Sequence, residues 1–237
     1  MEPGELIASG RDGDIFEYGP GLVLRKTRDG RSIAHEARIM EYVAERGYPV
    51  PRIEEVRADG TEIVMERIDG PLMLAPGVGG IVQLPRMLHV LADLHDQLHE
   101  ITAPEWLPAL PDGGDRMLHL DLHPLNVINS PTRGFVVIDW TNAHRGDPLF
   151  DVALTYVLLT CPRIPVPRPI EVAMNAIRRP LVGRAFAQRY RGPALDARIA
   201  EAAELKCLDP HMSPDEVTRM RRLAARMQKK VRRRAPG

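Results

Sequence analysis

The chain has 237 residues, of which 44% are apolar and 27% charged, and its formal net charge is zero. That apolar content is ample for a packed core and excludes a wholly disordered chain. The length fits one large domain or two small lobes sharing a cleft. No stretch approaches the ~18 to 20 uninterrupted apolar residues of a membrane-spanning helix, and the start MEPGELIASGRDGD lacks the basic-then-apolar order of a secretory signal. Cys161 and Cys207 are too few for a disulfide scaffold and lack metal-site spacing. A cytoplasmic protein with no membrane partner is expected.

The first 68 residues read as strands around one helix. Glu5–Ser9 and Ile15–Tyr18 flank Gly10 and Gly13, the pattern of a hairpin with a loose glycine-containing turn. Gly21–Thr27 is a third short strand. Ser32 is placed to cap a helix running to about Arg46, with Ile33, Ala37, Met40 and Val43 or Ala44 on one face. Gly47 ends it, and Pro49 and Pro51 prevent its resumption. Strands near Ile53–Ala58 and Glu62–Glu66 follow, joined at the Asp59-Gly60 turn.

Asp69-Gly70-Pro71 is a breaker cluster, after which the period changes. Leu84, Leu88, Leu91, Leu94, Leu98 and Ile101 form an amphipathic helix face. A proline-rich loop, Ala103–Gly114, leads to two short apolar runs, Arg116–Leu120 and Phe135–Ile138, separated by a polar loop. From Asp151 the pattern is helical again, broken by the proline cluster Pro162–Pro169. The expected organisation is a small strand-rich lobe over residues 1–68, a hinge near residue 67, and a larger helical lobe over residues 69–237.

The C-terminal segment is read from its caps. Ser213 and Pro214 make a helix start, with Asp215 and Glu216 near its positive end. Val217, Met220, Leu223 or Ala224, Met227 and Val231 recur at helical spacing. Nine basic residues lie between Arg219 and Arg234, which leaves 23 basic against 32 acidic side chains, a balance of −9, in the residues before them. No aromatic side chain interleaves with the arginines as a base-stacking surface requires. The segment is therefore expected to pack through Met220, Leu223 and Met227 with its arginines in water, and to bind no nucleic acid specifically.

Chemistry concentrates in LHLDLHPLNVINSPTRGFVVIDWTNAHRGDPLFD, residues 118–151, where polar residues sit on loops between apolar runs. Asp121 and Asn126 share one loop, and Asp139 ends the next strand. One carboxylate that orients a hydroxyl, with an amide and a second carboxylate for magnesium, suits phosphoryl transfer. The HLDLHPLN run, with VIDW bringing Asp139 thirteen residues beyond Asn126, resembles the aminoglycoside phosphotransferase/choline kinase family, relatives of the protein kinases. The resemblance extends over most of residues 5–155. It implies an α+β, bilobal protein-kinase-like fold with a small antiparallel sheet and one helix in the first lobe and a mainly helical second lobe. It further implies a kinase that moves the γ-phosphate of ATP, or GTP, to a hydroxyl of a small molecule with Mg2+ as cofactor.

On that resemblance Asp121 is the catalytic carboxylate, and Asn126 and Asp139 are the magnesium ligands. His119 is a structural residue of the catalytic loop, and Asp151 braces the loop through its backbone. Gly10 and Gly13 resemble the turn that covers the phosphates. Arg25 matches the phosphate-binding cation; the neighbouring Lys26 is the other candidate, although strand alternation sends it to the opposite face. Glu36 matches the helix glutamate that pairs with that cation, and Glu66 to Ile68 match the hinge that holds adenine. Leu120 and Leu125 stand where many relatives carry glycine. Only about 20 residues separate His99 from His119, short of the helical material that shapes aminoglycoside sites, so a smaller or more open acceptor pocket is expected. The acidic body favours a cationic acceptor such as an amino sugar or choline-like alcohol.

Other readings use the same residues. A kinase-shaped nucleotide-binding protein without phosphotransfer would need no Asp121, Asn126 and Asp139 together. His119, Asp121 and His123 also form an HxDxH pattern of the kind that metal-dependent hydrolases use, although Pro124 breaks the extended conformation it requires. His95 and His99, one helical turn apart, can share a metal or pack beside Leu94 and Leu98; the packing role is the expected one. Asp147, between Gly146 and Pro148, reads as a turn residue, and Cys161 as a buried thiol. The sequence is silent on oligomeric state.

Overall fold

Alternation along the first third of the chain builds a five-stranded antiparallel sheet in the computed structural model, which describes residues 2–10, 13–74, 83–161 and 181–234. Strands β1 (Leu6–Ser9), β2 (Gly13–Glu17), β3 (Leu22–Thr27), β4 (Ile53–Arg57) and β5 (Glu62–Glu66) lie in the order β1-β2-β3-β5-β4. A Cβ at Gly13 would stand 2.4 Å from the Lys26 carbonyl oxygen, so only glycine lets β2 approach β3 at the turn. The turn expected at Asp59-Gly60 is present: Ala58, Asp59 and Gly60 have φ of 50°, 56° and 87°.

Helix α1 (Ala34–Ala44) has Ile33, not Ser32, at its N-cap position, and no side chain caps it. Its end follows the Schellman pattern. Gly47 (φ 80°) donates to the Ala44 carbonyl at 2.9 Å, and Tyr48 donates to the Val43 carbonyl at 3.0 Å. Ile33, Ala37 and Ile63 form a buried cluster on the sheet, with Ile53 and Met65 packed against it.

Packing groups the chain differently from a single cut after residue 68. One compact unit contains Met1–Val78 and Pro124–Ala143; the other contains Gly79–His123 and His144–Gly237. Residues 124–143 carry a hairpin of β7 (Val127–Ser130) and β8 (Gly134–Val137). Met73 donates to the Val127 carbonyl at 2.7 Å, and Val137 donates to the Pro49 carbonyl at 2.8 Å. The Trp140 ring meets Tyr48 edge-on at 5.6 Å. Strand β7 falls where sequence reading expects only a polar loop, since Val127-Ile128 is too short a run to show alternation.

The second unit is mainly helical. Helix α2 (Leu84–Glu100) buries Leu88, Leu91, Leu94, His95 and Leu98. Strands β6 (Arg116–Leu118) and β9 (His144–Gly146) pair antiparallel, and α3 (Pro148–Thr160), α4 (Pro193–Lys206) and α5 (Pro214–Arg232) follow. Asp147 is a helix cap rather than a turn residue: its carboxylate accepts the Leu149 N–H at 3.0 Å and the Arg198 Nε–H at 2.9 Å. The proline cluster Pro162–Pro169 lies outside the described residues. No described helix is long and apolar enough to cross a membrane.

Helix α5 begins with a capping box, in which the Glu216 N–H donates to Ser213 Oγ and the Ser213 N–H donates to the Glu216 carboxylate. Met220, Leu223, Ala224 and Met227 are buried, and the helix packs on α4. At its basic end Lys230 and Arg234 reach Asp196 at 2.7 and 3.1 Å. Replacing Ser213 by alanine leaves that first turn with an unmade bond, so Ser213→Ala should lower the unfolding free energy by about 1 kcal/mol in urea titrations.

Candidate active site

In the first unit, strand alternation decides the fate of two adjacent cations. Arg25 lies on the α1 side of β3 and forms an ion pair with Glu36, and both side chains are largely buried. Lys26 points to the opposite face, where it meets Glu62 at 3.0 Å with its side chain half exposed. The network around Arg25 and Glu36 therefore does not include Lys26. Gly10 and Gly13 close the β1–β2 turn through a 2.9 Å bond from the Gly10 N–H to the Gly13 carbonyl; Arg11 and Asp12 between them lie outside the described residues.

Glu36 does more than pair with Arg25. Its carboxylate accepts the Trp140 N–H at 3.3 Å and the Thr141 hydroxyl at 3.1 Å. The same hydroxyl lies 3.1 Å from Asp139 Oδ1, so its single proton serves both carboxylates. Asp139 itself has φ 67°, a conformation that aspartate tolerates better than most residues. The Ile138 N–H donates to the Asn126 carbonyl at 3.0 Å, which joins the Asp139 segment to the turn carrying Asn126. Arg25, Glu36, Asp139 and Asn126 are thus linked through two carboxylates and one backbone bond. Thr141 and the Trp140 amide are members that sequence reading does not single out, because a threonine after VIDW carries no signal of its own.

Glu66 ends β5, and Ile68 follows it in the loop, half-buried. Burial opposes ionisation of Glu66, but hydrogen bonds from Arg133 and the Arg52 backbone hold its carboxyl below the ordinary range. Its side chain is therefore engaged in ion pairs, and any contact with a base falls to the backbone.

In the second unit, Asp151 organises the loop that carries Asp121. Its fully buried carboxylate accepts the His119 N–H at 3.0 Å through Oδ2 and the Leu120 N–H at 2.8 Å through Oδ1. His99 Nε2 lies 3.1 Å from Oδ2. Burial works against the charge, yet these donors outweigh it and keep the carboxyl well below its ordinary value. Burial also holds His95 neutral by depressing its pKa, so the charge on Asp151 rests on His99 and the two backbone amides. Leu120 adopts φ 60°, the left-handed region that favours glycine. His119 is fully buried, and its Nδ1 accepts the Asp121 N–H at 3.3 Å. Asp121 is partly exposed, with His123 Nε2 at 3.8 Å.

This geometry does not bear out the HxDxH reading. His119 Nδ1 is turned back to the loop backbone. Among the described residues the only His, Cys, Asp and Glu atoms clustered for a metal are those of His95, His99 and Asp151. Asp151→Asn would turn an amide NH2 toward donors that now meet a carboxylate, leaving buried groups unpaired. The substitution should destabilise the chain by about 3 kcal/mol in urea unfolding, and a loss under about 1 kcal/mol would contradict the bracing role.

No curated protein matches the chain. Solved structures do: aminoglycoside phosphotransferase APH(4)-Ia is similar with a TM-score of 0.66 at 15% identity, over 98% of this chain and 94% of that one. A thermostable mutant of that enzyme in ternary complex with AMP-PNP and hygromycin B gives 0.64 at 16% identity, over 98% and 94%. A choline/ethanolamine kinase family protein from Mesorhizobium loti gives 0.59 at 17% identity, over 98% and 93%. These likenesses establish the α+β kinase-like fold. The model of the phosphotransferase enzyme family (APH) matches residues 4–104 and 83–190, and the chain belongs to that family.

Proposed function

We propose that the chain is a small-molecule kinase that transfers the γ-phosphate of ATP or GTP to a hydroxyl group. The observation that carries this reading is the Glu36 network, which ties a sheet cation, Arg25, to the segment bearing Asp139. Phosphoryl transfer needs little covalent chemistry from the protein and depends on positioning and charge. Arg25 is suited to the α/β-phosphates, since a guanidinium offers paired donors to phosphate oxygens. Asp139 and Asn126 offer carboxylate and carboxamide oxygens, the hard donors that magnesium prefers. Bound magnesium would neutralise charge on the phosphates.

Asp121 takes the acceptor side. Its carboxylate, partly exposed on a braced loop, can receive the hydroxyl proton as the oxygen attacks phosphorus and the bond to the leaving diphosphate breaks. Backbone groups near Glu66 to Ile68 are the proposed adenine contact, and Gly10 and Gly13 the proposed cover for the phosphates. The similar enzyme bound to hygromycin B and the acidic body of this chain both favour a cationic acceptor such as an amino sugar or choline-like alcohol.

The direct test is magnesium-dependent nucleotide consumption across a library of alcohols and amino sugars. Nucleotide binding without turnover on any of them would instead indicate a kinase-shaped binding protein. With an acceptor in hand, Asp121→Asn should cut turnover by ~100- to 10,000-fold while leaving nucleotide affinity nearly unchanged, and a loss below about tenfold would exclude the base role. Asp139→Ala should act earlier, weakening binding of the magnesium nucleotide itself in calorimetry; an unaltered magnesium dependence would refute the assignment.

A further inference from the structure

Helix α2 presents His95 and His99 one turn apart, both toward Asp151 on α3. The tautomer of His95 follows from its neighbours. Thr155 Oγ1 donates to the Leu122 carbonyl at 2.7 Å, so toward His95 Nε2, 3.0 Å away, it offers a lone pair. Nε2 therefore carries a proton, and in the neutral ring that burial favours, Nδ1 is a lone pair. That Nδ1 is buried, lacks a hydrogen-bond partner, and faces Asp151 Oδ2 at 3.7 Å. Two acceptors opposed in a buried site are unfavourable unless something positive stands between them.

We propose that His95 Nδ1, His99 Nε2 and Asp151 Oδ2 form a binding site for one divalent transition-metal ion, with Zn2+ the best fit. One ligand atom from each of the three residues lies within 4.8 Å of the others. Tetrahedral zinc with bonds of ~2.0 to 2.1 Å sets its ligands about 3.3 Å apart, and the two separations to Asp151, 3.1 and 3.7 Å, bracket that value. Imidazole nitrogens suit zinc and its neighbours, whereas magnesium prefers oxygen ligands and keeps its waters. Water would complete the coordination from the side of His99, the one ligand of the three that is not fully buried.

The surrounding bonds fit an outer shell. Thr155 holds the far nitrogen of His95, and the His119 amide holds Asp151, which is how metal-bound imidazole and carboxylate groups are usually oriented. The exchange balances: the ion replaces the His99 to Asp151 hydrogen bond, and His99 carries its proton on Nδ1 or releases it. Asp151 Oδ2 keeps the His119 amide on its other lone pair, and Oδ1 keeps the Leu120 amide. The loop brace therefore survives metal binding and is stiffened by it.

The test needs no substrate and no turnover, so it stands or falls apart from the kinase reading. The full chain, stripped with a chelator, is titrated with Co2+ and then Zn2+. One Co2+ per chain is expected, with the intense visible absorption of a four-coordinate site, displaced by one equivalent of Zn2+, which also raises the melting temperature. His99→Gln keeps a donor for Asp151, so its metal-free form should fold, while its Co2+ affinity should drop by more than ~100-fold. His89→Gln, on the exposed side of the same helix, should bind as the parent does. Absence of the Co2+ band in the parent at micromolar concentrations overturns the proposal, as does a band that persists in His99→Gln or vanishes in His89→Gln.

Discussion

A single buried carboxylate constrains the loop on which the proposed chemistry depends. Asp151 accepts two consecutive backbone amides, those of His119 and Leu120, and so fixes the direction of the chain just before Asp121. Leu120 is held with φ 60°, a conformation that costs a residue with a side chain about 1 to 2 kcal/mol. Hydrogen bonds to a charged group contribute ~1.5 to 3 kcal/mol each, so the pair offsets that cost. The leucine side chain is itself buried and adds apolar packing that a glycine could not. The loop is strained at one residue and secured by the carboxylate beside it.

Glu36 plays the corresponding part in the other unit. It is nearly as buried as Asp151 and also gathers groups distant in sequence: Arg25 from β3, and the Trp140 amide and Thr141 hydroxyl from the segment after β8. Each unit thus hangs its polar residues on one inward-facing acid that accepts specific donors. A carboxylate desolvated to this degree tolerates few other arrangements, which is why it can hold a site still. Asp121, Asp139 and Asn126 differ from these two acids. They lie on loops or turns, and Asp121 and Asp139 are partly exposed, whereas Asn126 is buried.

Much of this was legible in the sequence wherever local pattern decides structure. Strand alternation separates Arg25 from Lys26, the capping residues announce the start of the last helix, and Met220, Leu223 and Met227 mark its buried face. Asp121, Asn126 and Asp139 stand out by residue type and spacing. Long-range partners were not legible. Nothing near Glu36 indicates Thr141, over a hundred positions away, and nothing near Asp151 indicates His99. Residues 124–143 join the first unit through single contacts such as Trp140 on Tyr48, which leave no periodic trace. Ser32 shows the opposite failure: a good capping residue by type, its helix begins too late to use it.

That Asp151 fixes the loop carrying Asp121 is tested most directly by hydrogen exchange at two backbone amides, His119 and Leu120, in the unmodified chain. If the buried carboxylate holds them, both exchange only through opening of the surrounding core, with protection close to that of the central residues of α2 and α3. Exchange at the rate of the exposed loop amides, while those helices remain protected, would mean that the loop moves free of Asp151 and that the constraint does not exist.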